Sequence, residues 1–299
     1  MQEELKQYAE VQVDVDIKKY NTYRIGGKVK YLIEPYSIND LVNVIKLLDQ
    51  NNIKFIMLGN GSNVVISSKY FDGAMIKLTR LNGISIKPEL NLAYAEAGAL
   101  MPSIVKDSVD KSLTGLEFAA GIPGTLGGCV YGNAGAYNSC IMDYVSSVTV
   151  LDRTSYEITE LDHEDIEYSY RWTSFKEKKN YIILSAKLYL KSGDKKNSIA
   201  ILEDRKQRRL ASQPLEYPSA GSVFRNPEGD FAGRIIEACG LKGKTIGGAE
   251  VSKKHANFII NTGNATSDDV YNLINYVHDT ILETTTVDLI IEQEFIGWD

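Results

Sequence analysis

The sequence is poor in the residues on which disulfide-stapled and metal-centred proteins depend. It has three cysteines, three histidines and two tryptophans in 299 residues. Cys129, Cys140 and Cys239 are odd in number and lack Cys-x-x-Cys spacing, which argues against a disulfide framework or a cysteine zinc site and fits a reducing compartment. His163, His255 and His278 lie far apart in the chain, so no metal site is expected. Apolar runs stay short of the ~18 residues that a membrane span needs. The opening Met1-Gln2-Glu3-Glu4-Leu5-Lys6 has no apolar core of the kind a secretory signal carries. Positive charge does not predominate: the net charge is −6, which speaks against nucleic acid as the main partner. The glycine signatures of the common nucleotide folds are missing, since no G-x-G-x-x-G follows a strand and no G-K-[ST] occurs. What remains is a soluble cytoplasmic protein of ordinary composition, long enough for two or three domains.

Against this background one stretch stands out. Residues 115–138, GLEFAAGIPGTLGGCVYGNAGAYN, hold seven of the chain's 24 glycines and a single charge, Glu117. Glycine lets backbone pass close to a ligand and adopt positive φ, at an entropic cost. The interleaved Ile122, Leu126, Val130, Ala134 and Ala136 argue against a solvated linker, which would be rich in serine and charge. Such a segment suits amides turned towards an anion such as a pyrophosphate. A glycine-rich packing loop between two layers accounts for the same composition.

The rest of the chain alternates strand and helix signals. Gly26-Gly27 precedes an alternating run, Val29 to Ile33. Ser37 and Asp40 cap a helix whose buried face is Ile38, Leu41, Val42, Ile45 and Leu48. The strand 55–58 is followed by Gly59-Asn60-Gly61-Ser62-Asn63 and a second strand, 64–66, an arrangement resembling an anion-binding nest, with a plain hairpin turn as the alternative. Residues 74–97 read as two short strands, 100–109 as a helix, 145–151 with 156–161 as a hairpin, and 181–190 as a long strand. A boundary falls at Gly193-Asp194-Lys195-Lys196, giving expected domains 1–195, itself in two parts near 1–75 and 76–195, and 196–299. Beyond it come helices over 199–210 and 231–239, a strand 257–261, a helix capped by Thr266 and Asp269, and a closing strand 287–295. On that closing strand Glu292 and Glu294 are expected to face one side. Arg171, Ser222 and Glu294 stand in apolar or glycine-bound settings on three distant segments, and spacing alone does not bring them together. Ser222 is not in a G-x-S-x-G elbow.

Six ordered motifs carry a resemblance. They are NTYRIGG (21–27), LGNGSNV (58–64), GLEFAAGIPGTLGG…NAGAY (115–137), YSYRWTSF (168–175), PSAGSVFRNP (218–227) and GLKGKTIGGAEVSKKHANFIIN (240–261). Together they resemble the UDP-N-acetylenolpyruvoylglucosamine reductase family over about residues 20–296. The resemblance implies an α+β fold: two subdomains clasping non-covalent FAD in the manner of the vanillyl-alcohol-oxidase-type flavoproteins, and a C-terminal α+β substrate-binding domain. It implies a UDP-N-acetylmuramate dehydrogenase of peptidoglycan precursor synthesis, with NADPH as co-substrate and a nucleotide-sugar substrate. Hydride passes from NADPH to the flavin and then to the vinyl carbon of the enolpyruvyl ether.

The likeness also places residues. Gly59, Asn60, Gly61, Ser62 and Asn63, with Gly121, Pro123, Gly124 and Gly128, would meet the FAD pyrophosphate; Asn133 and Ala134 would lie by the flavin. Arg171 would stabilise charge developing next to the carboxylate, Glu294 would help to stabilise the enolic species, and Ser222 would protonate the carbon. Tyr137, Asn226 and His255 match positions near the uridine diphosphate or the enolpyruvyl group, His255 standing where relatives have glutamine. Three departures accompany the match. Ser212 replaces an expected lysine, so a diphosphate contact falls to Arg205, Arg208 or Arg209; Cys129 replaces a small residue; and the terminal EQEFIGWD keeps Glu292 as an alternative to Glu294. No tyrosine-bearing loop interrupts 181–205, as in the family's shorter subclass. An oxidase of the same fold and a catalytically inactive FAD- or nucleotide-binding module are the competing readings. A monomer is favoured.

Overall fold

A computed structural model describes residues 1–298 and divides the chain into two compact units. The first comprises Met1–Val13, Tyr31–Asn60 and Gly73–Gln207; the second comprises Asp14–Lys30, Gly61–Asp72 and Arg208–Asp299. A single cut after residue 195 was expected, whereas the packing is discontinuous in sequence. Residues 14–30 and 61–72 belong with the C-terminal part because Val65, Tyr23 and Ile25 join its core.

Beside several two-stranded sheets, the first unit holds two larger ones. One has the order Ala9–Asp16, Lys28–Pro35, Phe71–Lys77, Phe55–Leu58. Its last two strands run parallel, with Leu58 opposite Lys77. The second is antiparallel: Ile158–Asp162, Val145–Asp152, Tyr181–Tyr189, Leu92–Glu96, Ile84–Lys87. The hairpin expected at 145–161 is therefore present, and residues 74–97 contribute three strands rather than two. Helix Ile38–Gln50 starts where Ser37 accepts from the Asp40 amide, and it buries Leu41, Val44, Ile45 and Leu48. A 3-10 turn, Leu116–Ala119, opens the glycine-rich stretch, and a short helix, Leu126–Tyr131, lies within it. That helix carries Gly127 and Gly128, residues of poor helix propensity, which hid it from pattern reading.

In the second unit Thr245–Ile246, Ala249–Val251 and Ile259–Asn261 form an antiparallel sheet. Helix Ser267–Thr285 packs on it through Val270, Leu273, Ile274, Val277 and Ile281, all buried. Each such aliphatic side chain contributes roughly 1.5–3 kcal/mol of transfer free energy. The helix begins with the expected capping box, Thr266 and Asp269 each accepting the other's amide. The closing strand is shorter than expected: only Glu294–Ile296 pairs in parallel with Val64–Ile66. The residues before it take different partners, Ile291 bridging to Phe224 and the Glu292 amide donating to Val223 O. A regular strand through both glutamates is thereby excluded, and with it the alternation from which their common side was inferred.

His278 ties this helix to the chain entering the closing strand. Its Nδ1 lies 2.9 Å from Asp279 Oδ1 and its Nε2 2.9 Å from Asp288 Oδ1. Both nitrogens can donate only in the imidazolium, and the two carboxylates raise the His278 pKa above its ordinary value. A raised folded-state pKa stabilises fully below the unfolded value of about 6.5, and the gain is lost as pH rises through the folded value. In urea unfolding, His278→Gln should therefore cost at most about 1 kcal/mol near pH 5.5, with solvent screening, and less at pH 8.5. An equal cost at both pH values would show that the pair does not act through charge.

Candidate functional site

In the first unit two turns lie against each other. Strand Phe55–Leu58 runs out into Gly59-Asn60, and the Asn60 side-chain amide donates to Pro123 O at 2.7 Å. The approach is close: a Cβ on Gly59 would stand 2.9 Å from Thr125 Oγ1, and one on Gly124 2.9 Å from Cys129 Sγ. Asn60, Gly121, Pro123 and Gly128 are exposed around this contact, and the two glycines leave backbone open there. Such a surface fits a pyrophosphate, which needs amide donors at short range. Thr125 caps the short helix, accepting from the Gly128 amide, and Cys129 is buried behind it with its thiol pKa pushed up to about 12 by desolvation.

The stretch then turns through residues of unusual backbone. Asn133 is buried at φ 44°. Its Nδ2 donates to Ser169 O at 2.8 Å and its Oδ1 accepts from the Met142 amide. Strands Gly135–Ala136 and Ser139–Cys140 are joined by Tyr137-Asn138, both at positive φ, as a two-residue hairpin of the primed type demands. Arg171, also left-handed at φ 58°, donates from Nη2 to Gly135 O at 2.6 Å, and its guanidinium lies 5.2 Å from the Tyr170 ring centre. Arg205 lies over the ring of Tyr137 at 4.5 Å. The structure thus gathers Asn133, Ala134, Tyr137 and Arg171 at one hairpin, with Arg205 beside it.

In the second unit three short segments run side by side. Residue Asn63 accepts the Glu294 amide on its carbonyl and donates from Nδ2 to Glu292 O. The Glu292 amide donates to Val223 O, and Phe224 bridges Ile291. Segment 291–296 therefore lies between 63–66 and 220–225, which brings the backbones of Asn63, Ser222 and Glu294 into one layer. Ser222 is held from both sides. It bridges Phe258, while the Asn257 side chain accepts from the Phe224 amide and donates to Phe224 O. Gln293, buried between the two glutamates, donates to Ala220 O and accepts from the Tyr23 hydroxyl. Gly61, at φ +64°, owes its identity to packing, since a Cβ there would meet Tyr20 O at 2.5 Å.

Asn226 and His255 meet at the start of helix Ala232–Ala238. Asn226 Oδ1 accepts the Ala232 amide, and His255 Cε1 is 3.5 Å from where a Gly233 Cβ would be. His255 Nδ1 accepts the Asn257 amide, leaving Nε2 to carry the proton of the neutral ring. Burial lowers the His255 pKa, which keeps that neutral form. Four residues that sequence reasoning did not single out support these groups: Lys77, Tyr23, Asn257 and Gln293. Lys77 alone left a readable trace, as a cation inside the apolar run Ala74 to Leu78. Among the described residues no group of three or more His, Cys, Asp or Glu side chains is placed to hold a metal ion, and no helix is long and apolar enough to cross a membrane.

Residues 29–160 match the family described as FAD binding domain, and the glycine-lined backbone just described lies in or beside that span. The protein is an FAD-binding flavoprotein of α+β architecture. Residues 213–296 match the C-terminal domain of UDP-N-acetylenolpyruvoylglucosamine reductase. Proteins of that name from Clostridium kluyveri and Caldanaerobacter subterraneus are 40% and 43% identical to this chain, over 99% and 94% of it and 96% and 92% of their own lengths. The chain belongs to the UDP-N-acetylenolpyruvoylglucosamine reductase family. The crystal structure of the Thermus caldophilus reductase is similar with a TM-score of 0.81 at 28% identity, covering 97% of this chain and 99% of that one. A Phl p 4 variant described as a glucose oxidase, at 12% identity, 71% of this chain, 50% of that chain and a TM-score of 0.50, shares the fold alone.

Proposed function

We propose that this chain reduces the enolpyruvyl ether of UDP-N-acetylglucosamine to the lactyl ether, giving UDP-N-acetylmuramate with NADPH as the electron source in the cytoplasm. The observation that carries the reading is the single layer of segments 63–66, 220–225 and 291–296. It sets Ser222 and Glu294 on neighbouring backbones within a chain that matches named reductases over nearly its whole length.

FAD held on the glycine-lined turns would supply two-electron hydride chemistry between NADPH and the enolpyruvyl substrate. The protein's task is the charge left on the carbon bearing the ether, which is delocalised into the adjacent carboxylate. Arg171 meets that charge with a guanidinium already fixed by Gly135 O, so little reorganisation accompanies the reaction. Glu294 helps to hold the enolic form. Ser222 Oγ gives its proton to the carbon and regains one from solvent, so that NADPH, one proton and substrate become NADP and product. Gly59, Asn60, Gly61, Ser62 and Asn63 with Gly121, Gly124 and Gly128 would hold the FAD pyrophosphate on backbone amides. Pro123, which has no N–H to donate, would shape the turn beside them through its carbonyl on Asn60, and Asn133 and Ala134 would border the flavin. Tyr137, Asn226 and His255 orient the nucleotide sugar, with Arg205 stacked on Tyr137 as the diphosphate's cation. The unit that contains residues 208–298 forms the substrate-binding part, and the enzyme acts as a monomer.

One cuvette tests this. Flavin absorbance should bleach on anaerobic addition of NADPH and return on addition of the enolpyruvyl substrate. Bleaching that only oxygen reverses would identify an oxidase instead, and absence of flavin binding would leave an inactive module.

A further inference from the structure

Lys77 is buried, 6% exposed, at the end of strand Phe71–Lys77, and has no part in the proposed reaction itself. A buried ammonium is costly unless charge or hydrogen bonds compensate. Here desolvation lowers the Lys77 pKa, and the Glu34 carboxylate opposes that shift. In register Lys77 stands opposite Leu58, the last residue of the parallel neighbour, so its side chain reaches the turn that follows. Its Nζ donates to Gly59 O at 2.8 Å.

That bond fixes more than a carbonyl. Among the described residues no peptide is cis, and across a trans peptide the C=O of one residue and the N–H of the next point in opposite directions. Holding Gly59 O on Lys77 therefore aims the Asn60 N–H away from Lys77, out of the turn. The Asn60 side chain is already anchored on Pro123 O, so the turn has little freedom to rotate back. Behind the outward amide sits a positive charge in a poorly solvated place, where Coulomb attraction is screened less than in water. A loop that presents an N–H outward with a buried cation beneath is matched to a dianionic group.

We propose that Lys77 is a positioning residue for FAD: it sets the Gly59–Asn60 peptide and lends the turn the charge that attracts the cofactor's pyrophosphate. This rests on the assignment of that turn to FAD. Lys77 would act through the turn and its field, without touching the reacting atoms.

The test is FAD binding to the apoprotein, followed by flavin fluorescence quenching at low and high KCl. The variants are Lys77→Met, which fills the same space, and Lys77→Gln, which keeps a donor for Gly59 O but loses the charge. Loss of a charge-assisted hydrogen bond should raise the FAD Kd about 10–100-fold in Lys77→Met. Both variants should show a weaker salt dependence than the parent, because the screened charge is gone. The melting temperature of the apoprotein serves as the structural control. Lys77→Gln binding FAD like the parent at every salt concentration would overturn the charge role. So would an affinity loss that is the same at low and high salt and tracks a lower apoprotein melting temperature. If Lys77→Met does not fold, Lys77→Gln decides. A parent protein that binds no FAD would remove the assignment of the turn itself, which is a different result from a parent that binds and variants that match it.

Discussion

Ser222→Ala should lower kcat/KM for the enolpyruvyl substrate by about 10²–10⁴-fold, the range expected for a positioned proton donor, and leave flavin bleaching by NADPH nearly unchanged. The split arises because only the second half-reaction creates a carbon in need of a proton. Geometry makes the serine's position credible as a donor. Gly221 turns at φ +74°, and the following segment is fixed by Asn257, Glu292 and the Phe258 bridge, so residue 222 does not sit on a loose loop. Half-buried and lying outside the apolar core, Ser222 should tolerate the change with little loss of stability. Ser222→Cys carries a proton on a more acidic group, pKa near 8.5 against a far weaker alcohol, and should retain more turnover than alanine. Rapid-mixing absorbance of the two half-reactions reads both effects. Equal rates for parent and Ser222→Ala in the reoxidation phase would take the proton-donor role away.

How much of this was legible beforehand depended on whether the responsible interactions are local. The helix at 267–285 announced itself through Thr266, Asp269 and a repeat of apolar residues, because caps and amphipathic faces involve neighbours in sequence. The hairpin at 145–162 did so for the same reason. The layer holding Ser222 and Glu294 is the opposite case. Its partners lie about 70 to 230 residues apart, as Gln293 to Ala220 and Asn63 to Glu292 show, and spacing contains no trace of them. Those residues were named through a family resemblance instead. The short helix at 126–131 and the broken end of the chain were missed because long-range hydrogen bonds outweigh local propensity there. Glycines 127 and 128 become helical where the Leu126 and Gly127 amides donate to Ala99 O and Ala97 O, and residues 291–294 change partner almost residue by residue. Asn257 and Gln293 look like ordinary polar residues in sequence. Their importance lies in being buried with both ends of the amide engaged.

Arg171→Ala should slow reoxidation of the flavin by the enolpyruvyl substrate about 10²–10³-fold, comparable to removing one preorganised charge-stabilising donor, while its reduction by NADPH changes far less. The arginine is placed at some expense. It occupies left-handed backbone, a conformation that costs a non-glycine residue about 1–2 kcal/mol, and such strain tends to persist where function needs the side chain. The bond to Gly135 O and the stacking on Tyr170 offset part of that cost. Comparison with Arg171→Gly separates side chain from backbone. Both variants lose the guanidinium and should be equally slow. The glycine protein should nonetheless be more stable than the alanine protein by about 0.5–1 kcal/mol, since relief of left-handed strain exceeds glycine's extra unfolded-state entropy. Arg171→Lys should recover little, because an ammonium lacks the planar fork that can meet Gly135 O and a carboxylate together. Urea unfolding and the two half-reactions, measured on the same three variants, decide this. Equal slowing of both half-reactions would assign Arg171 to holding the hairpin at 135–140 rather than to the charge formed in the reaction.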